Sequence, residues 1–304
     1  MFFIVNLVAG RAVISEKLGE IIDSFNKSDI EVTVHITQSS EDASASAAYA
    51  CESGFDMLVC AGGDGTLSQC LQGMLHSSRR IPVGYIPAGS TNDFARSLGI
   101  PQTTAGAVKW ITDGVPTACD IGRFNGDYFT YIAAFGAFTN VTYETSQQVK
   151  NIFGHSAYII SGLMQLTSIR AKHMRIEWDG GSVEDEFIFG MVTNSASVAG
   201  LLSMNDFLFD DGVFEVTLIK KPTNILHLQQ IVSSLLNISE EINKEYVRFF
   251  RTDRIVFTSL GGDAVTWTRD GEYGGDSQIN VVECCPRAAE FLTGEGRSEL
   301  FSEK

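Results

Sequence analysis

No Gly-Lys pair occurs anywhere in the 304 residues, so the chain has no Walker A loop with which to hold nucleotide phosphates. No apolar run approaches the roughly 20 residues that span a bilayer. Basic residues are scarce, with 22 Lys and Arg against 37 Asp and Glu. The resulting net charge of −15 would repel the phosphates of nucleic acid and disfavours tight electrostatic docking on anionic lipid. An apolar contact with a membrane stays open. The six cysteines form no Cys-x-x-Cys pair, and several fall in apolar runs. They read as small buried hydrophobes of a reduced, cytoplasmic protein, with the vicinal Cys284-Cys285 at a strand end. The opening Met1-Phe2-Phe3-Ile4-Val5-Asn6 lacks the basic stretch of a secretion signal and reads as a strand.

What the chain does have is a glycine turn in an informative place. Met57-Leu58-Val59-Cys60-Ala61 is an apolar run of strand length, and Gly62-Gly63-Asp64-Gly65-Thr66 follows it. A helix then starts, with apolar residues at 67, 70, 71, 74 and 75, and Thr66 and Gln69 at capping-box spacing. Glycines permit φ > 0 and close backbone approach to a bulky ligand. A glycine turn between a strand's carboxyl end and a helix N-terminus is where open α/β sheets bind nucleotides. A plain capped turn would need fewer glycines.

Composition sets the frame around that turn. The length exceeds about 100–200 residues per domain, so two domains are expected. Apolar content of 44% and charged content of 19% describe a globular chain with ample core. Up to residue 118, runs of strand period alternate with runs of helical period. Strands are expected at 2–8, 31–36, 57–61 and 81–86, with helices at 15–27, from a Ser39 cap towards Gly54, and after the glycine turn. That alternation predicts a doubly wound, mostly parallel sheet. From Cys119 the texture becomes β-rich. Asn125-Gly126 and Asp179-Gly180-Gly181 signal hairpins, and further strands are expected at 213–219 and 255–257. Helical stretches are expected at 150–170 and 226–236. The domains are therefore read as 1–118, a nucleotide-binding α/β unit, and 119–288, a β-rich unit expected to be a sandwich. The tail, 289–304, is expected to return to the first.

A second loop carries more chemistry. The strand at 81–86 runs into Pro87-Ala88-Gly89-Ser90-Thr91-Asn92-Asp93-Phe94-Ala95-Arg96. Gly89 and Ser90 can present N–H groups to phosphate. Asn92 or Asp93 can cap the short helix that follows. Asp64 and Asp93, on adjacent loops, suggest Mg²⁺ held largely through waters. Arg11 and Arg96 lie at the glycine-rich loops and are better phosphate candidates than Arg79-Arg80, which reads as a solvated helix end. His155 and His173 sit in no catalytic constellation. Leu201-Leu202-Ser203-Met204 is core or substrate-facing apolar surface. Phe209-Asp210-Asp211-Gly212 is a turn or a hard-cation site.

These motifs resemble the diacylglycerol kinase family of bacterial lipid kinases. The first loop alone is shared with sphingosine kinases, NAD kinases and, more loosely, phosphofructokinases. The second is similar to Pro-x-Gly-Thr-x-Asn-Asp-Phe-Ala-Arg, with Ser90 where threonine is usual. Asp120-Ile121-Gly122, the 129–136 stretch and Gly154-x-x-Ala157-Tyr158 resemble the family's second domain. So do Phe209-Asp210-Asp211-Gly212 and Asp270-Gly271-Glu272. The departure is Asn6-Leu7-Val8-Ala9-Gly10, where the family has Asn-Pro-x-Ser-Gly.

The resemblance implies transfer of the γ-phosphoryl group of ATP, with Mg²⁺, to a lipid hydroxyl, above all that of diacylglycerol. Other acceptors (a sphingoid base, phosphatidylglycerol or NAD) and a non-catalytic nucleotide-binding regulator are the alternatives. It implies an ATP set of Asn6, Gly10, Arg11, Thr37, Gly62, Gly63, Asp64, Gly65, Thr66, Gly89, Ser90 and Asn92. Asp64, Asp93, Asp270 and Glu272 would be catalytic. Asp270 would be the base that takes the acceptor's proton, with Glu272 orienting it or exchanging roles with it. Asp211, with the carbonyls of Leu208 and Val213, would hold a structural Mg²⁺. The expected partner is the lipid, met by transient membrane-surface contact of a cytoplasmic protein, with a homodimer left open and no nucleic acid.

Overall fold

The computed structural model describes residues 1–9, 13–136, 170–195, 197–198, 202–203, 207–236, 245–294 and 300–302. The helix expected at 150–170, His155, the Gly154-x-x-Ala157-Tyr158 motif, Gly10 and Arg11 lie outside the described residues. The chain divides into two compact units. The first takes in Met1–Tyr131, Asp206–Gly212 and Cys284–Lys304, and the second Ile132–Asn205 and Val213–Glu283.

In the first unit, strands and helices alternate as the periodicities predict: β1 (Phe2–Val5), α1 (Val13–Lys27), β2 (Thr33–Ile36), α2 (Ser40–Glu52), β3 (Leu58–Gly62), α3 (Asp64–Leu75) and β4 (Val83–Pro87). Short helices α4 (Asp93–Leu98) and α5 (Thr104–Thr112) follow, then β5 (Val115–Phe124) and β6 (Asp127–Phe129). β1 lies between β2 and β3, and β4 pairs with β3, all parallel. The chain thus goes out from β1 to β2 and returns past β1 to β3. The crevice between β1 and β3 is a topological switch point, where open α/β sheets take ligands. β1, β3 and β4 are buried throughout, whereas β2, at the edge, is part exposed, and Ile36, the last residue of its alternating apolar face, is exposed. The small residues of α2 let it pack closely on α3, where a Cβ added to Gly73 would meet the Ser44 carbonyl oxygen. The boundary drawn from texture after residue 118 falls inside β5, and Asp120-Ile121-Gly122, likened above to the second domain, belongs to the first unit.

The second unit is built on an antiparallel sheet. β7 (Ile132–Gly136), β8 (Lys172–Trp178), β9 (Gly181–Thr193), the short pair β10 (Ser197–Val198) and β11 (Leu202–Ser203), and β12 (Phe214–Lys220) come first. After α6 (Ile225–Leu236) come β13 (Val247–Thr252), β14 (Arg254–Ser259), β15 (Val265–Arg269), β16 (Glu272–Ser277) and β17 (Ile279–Thr293). β17 begins in the second unit and ends in the first. β9 is the hub: β7 and β8 pair with it along one edge, and β12 along the other. Phe135, Phe257 and Trp267 form the aromatic centre of the core, with ring centroids 4.8–5.8 Å apart. Both hairpins that Asx-Gly pairs predicted are present. Asn125 and Gly126 close the β5–β6 hairpin with φ of 50° and 102°, the left-handed pair of a type I′ turn.

Candidate active site

Four loops of the first unit leave the carboxyl ends of β2, β1, β3 and β4 side by side. They carry Thr37, Asn6, residues 63–66 and residues 88–92. The Thr37 N–H donates to the Val5 carbonyl at 3.0 Å, and Asn6 N–H to that of Ala61 at 2.9 Å. The Asn6 carboxamide then bridges the switch point, because its Nδ2 donates to Thr66 Oγ1 at 3.0 Å. Its Oδ1 accepts from Val8 N–H, also at 3.0 Å, an Asx turn that shapes the first loop without the family's proline. Thr66 is therefore engaged across the sheet and does not form the expected capping box. The N-cap of α3 is Gly63, with no side-chain cap. This leaves the first N–H groups of α3 directed towards the loops, the arrangement that suits an anion.

The glycines serve close approach, and not the left-handed conformations expected of them. None of Gly62, Gly63, Gly65 and Gly89 has positive φ. A Cβ on Gly89 would stand 2.7 Å from Gly63 Cα and 2.8 Å from Asn92 Oδ1, and one on Gly63 would stand 3.3 Å from Gly89 Cα. The two loops touch backbone to backbone, 26 positions apart in sequence. Asn92 closes the second loop on itself: its Oδ1 accepts from Gly89 N–H at 2.8 Å and its Nδ2 donates to the Gly89 carbonyl at 3.1 Å. Asn92 is buried and adopts φ 51°, and its side chain does not cap α4.

Two acids meet at this contact. Asp64, 7% exposed, accepts through Oδ2 from the Asp93 backbone N–H at 3.1 Å and the Thr91 hydroxyl at 3.4 Å. Behind it, Tyr85 donates its hydroxyl to the Gly62 carbonyl at 3.2 Å. Burial, and then the nearby Asp64 carboxylate, hold the Tyr85 phenol well above its ordinary value, so it stays a neutral donor. The thiol of Cys60 is likewise pushed up, by a hydrogen bond with Cys70 and then by burial, as befits an inert core cysteine. Arg96 is exposed on α4. Arg80 is not simply a solvated helix end, because it donates to the Ala288 carbonyl at 3.0 Å.

Two acids of the later motifs, whose partners the motif reading did not foresee, lie in the same unit. Asp120 is fully buried and accepts from Gly212 N–H at 2.6 Å and Arg287 N–H at 2.7 Å. Burial raises its carboxyl above the ordinary range. Asp210 pairs with the Arg287 guanidinium at 3.0 Å. The Asp210-Asp211 pair was visible in the sequence, but nothing local says which acid faces inwards. It is Asp210, while Asp211, Leu208 and Val213 are half-buried. Among the described residues, no group of three or more His, Cys, Asp or Glu side chains could hold a metal ion. The pair Asp64 and Asp93 offers hard oxygen donors of the kind that bind Mg²⁺ through its waters, so the donor chemistry fits that ion.

In the second unit, Asp270 and Gly271 form the two-residue turn between β15 and β16, with φ of 46° and 84°. Asp270, 4% exposed, donates its backbone N–H to the Ile132 carbonyl at 2.9 Å and accepts from Ile132 N–H through Oδ1 at 3.2 Å. The two acids of this triplet are thus unlike: Asp270 is fixed and buried, Glu272 exposed. His173 is half exposed and faces Glu184 at 3.5 Å.

Residues 1–124 match the family model for the diacylglycerol kinase catalytic domain, and residues 133–293 that for the YegS C-terminal NAD kinase beta sandwich-like domain. Fold and family models together define a phosphotransferase with an α/β catalytic domain followed by a β sandwich. The chain belongs to the diacylglycerol kinase family. It is 32% identical to a diacylglycerol kinase of Bacillus subtilis over 90% of this chain and 89% of that one. It is also 32% identical to one of Staphylococcus epidermidis, over 99% and 91%. A crystal structure of a diacylglycerol kinase from Bacillus anthracis shares the fold with a TM-score of 0.75, at 21% identity and over 97% and 96% of the two chains. Among the described residues, no helix is long and apolar enough to cross a membrane.

Proposed function

We propose that this chain is an ATP- and Mg²⁺-dependent lipid kinase that phosphorylates the free hydroxyl of diacylglycerol to give phosphatidic acid. The observation that carries the reading is the hydrogen bond from Asp93 N–H to Asp64, made where the Gly63 and Gly89 backbones touch. It joins the Asp64 carboxylate to the backbone of Asp93, with two glycine loops, at the carboxyl edge of a parallel sheet.

Phosphoryl transfer asks a protein mainly for positioning and charge neutralisation. Bound Mg²⁺ would supply the neutralisation of phosphate charge. The N–H groups of residues 63–66 and of Ser90 bind the phosphate oxygens, while the Gly89 N–H stays on Asn92 and holds the second loop in shape. Asn6 and Thr66 fix the spacing of the first loop to β1, and Asn92 fixes the shape of the second. Asp64 and Asp93 would hold the ion. Asp270 takes the proton of the acceptor hydroxyl as that oxygen bonds to the γ-phosphorus of ATP, and the bond from this phosphorus to the β–γ bridging oxygen breaks to release ADP. The turn and Ile132 hold this carboxylate rigid, so no reorganisation is needed at the moment of transfer. The lipid is met at a bilayer surface by transient contact.

The test is ATP consumption with diacylglycerol, sphingosine, phosphatidylglycerol and NAD as rival acceptors. Turnover confined to diacylglycerol is expected. Preference for another of the four reassigns the acceptor. ATP binding with no turnover on any of them makes the chain a nucleotide-binding regulator.

A further inference from the structure

Residues 300–302 are tied to a buried acid. Asp210, whose side chain is 2% exposed, has three donors, and two belong to one residue near the terminus. Ser302 gives its backbone N–H to Oδ1 at 2.6 Å and its hydroxyl to Oδ2 at 2.8 Å, and Arg287 is the third. The neighbouring residues join in: Phe209 N–H donates to the Leu300 carbonyl at 2.8 Å, and the Phe209 and Phe301 rings stack at 5.9 Å. Phe209 in turn packs edge-on against Phe94 at 6.0 Å. Phe94 directly follows Asp93, whose N–H holds Asp64. From Ser302 to Asp64 the links lie inside the first unit: hydrogen bonds and ring contacts as far as Phe94, the chain itself from Phe94 to Asp93, and a hydrogen bond from Asp93 to Asp64.

A carboxylate this buried needs its donors. Hydrogen bonds to a charged group are stronger than neutral ones, and leaving such a group under-bonded in the interior costs more than an ordinary lost bond. Without Ser302, Asp210 is better served by swinging out to water, and Phe209 is its neighbour on the chain. We propose that residues 300–302 are a latch on the active site. Ser302 closes on Asp210, and the closed latch holds Phe209 against Phe94 and thereby keeps Asp93 on Asp64. Asp210 is a positioning residue that touches no substrate. The inference rests on the kinase reading for its activity measurement alone.

The experiment compares the full chain with Ser302→Asp, Ser302→Thr and a chain shortened after Glu299. Ser302→Asp sets a second carboxylate against Asp210, while threonine keeps both donors. Amide hydrogen exchange is followed at Phe209 and Asp93, with kcat at saturating ATP. In Ser302→Asp and the shortened chain, exchange at Phe209 should rise more than about tenfold, since protection tracks the free energy of local opening. Exchange at Asp93 should rise with it. kcat should fall by about tenfold or more, as small misplacements of reacting groups do. Ser302→Thr should match the parent in all three. Unchanged exchange at Phe209 overturns the latch. Faster exchange at Phe209 with Asp93 and kcat unmoved overturns its reach to the site. If the shortened chain does not fold, Ser302→Asp against Ser302→Thr decides. If no acceptor is turned over, the kinase reading has failed and the two amides still test the latch.

Discussion

Asp64 and Asp270 are both buried carboxylates proposed for one reaction, and the two units hold them in opposite ways. Asp64 has ordinary helical backbone at the first position of α3, and its side chain is held by groups from another strand's loop, Asp93 N–H and the Thr91 hydroxyl. Asp270 has an uncommon left-handed backbone and is held by both polar groups of one residue, Ile132. A parallel sheet makes a site by bringing sequence-distant strand ends together, so each loop carries part of the burden. A hairpin makes a site by the conformation of a single turn, so the burden falls on that turn. Damage should therefore be concentrated at Asp270 and graded across the glycine loops.

The sharpest way to break this contrast is Asp270→Asn. Asparagine accepts the left-handed conformation and keeps an oxygen for Ile132 N–H, so the fold should survive. The basic oxygen is gone, and kcat should fall by about 10²–10⁴ with ATP affinity and melting temperature nearly unchanged. Near-parental turnover would sink the assignment.

Next in size is Gly89→Ala. Its new Cβ would meet backbone at 2.7 Å, so one of the two loops must move. A loss of about 1–3 kcal/mol is expected, read by calorimetry as weaker ATP binding. Gly63→Ala, with 3.3 Å available, should lose less. The reverse order would mean that the loops do not rest on each other as described. Glu272→Gln should be milder still in kcat than Asp270→Asn, because Glu272 is exposed and unconstrained by Ile132. If it proves the more damaging of the two, the base is Glu272.

The smallest effect belongs to Tyr85→Phe, which removes a hydrogen bond to the Gly62 carbonyl worth about 1 kcal/mol. It also has a pH signature. The folded-state pKa of Tyr85 lies above its unfolded value, so the stability it contributes is intact below about pH 10 and is lost as pH rises through the folded value. Urea denaturation between neutral and strongly alkaline pH should show a steeper loss for the parent than for the Phe variant. Parallel curves would show that the phenol is not held neutral.

Much of this molecule was legible because its signals are local. Asn125-Gly126 and Asp270-Gly271 dictate type I′ turns within two residues, and Ser39 caps α2 through the Asp42 N–H only three positions away. The buried strands were found from continuous apolar runs, and the site was located from where the glycines stand relative to β3 and β4. The reasons behind those glycines were not legible. Three glycines in five residues suggest unusual φ, and none has it: Gly63 makes room for the Gly89 backbone, which the parallel pairing of β3 with β4 brings alongside, and Gly62 makes room for the Thr66 side chain. Thr66 looked like a helix cap because its spacing to Gln69 is local, and its true partner, Asn6, is 60 positions away. Asp210 and Asp211 are chemically equivalent in the sequence, and the choice between them was made by Arg287 and Ser302, 77 and 92 positions on. Cys119 marked a change of texture, yet it lies inside β5 and in the first unit, to which residues 206–212 and 284–304 also belong. Periodicity and turn chemistry act over a few residues and can be read along the chain. Close backbone approach and the solvation of a buried charge depend on groups that only folding brings together.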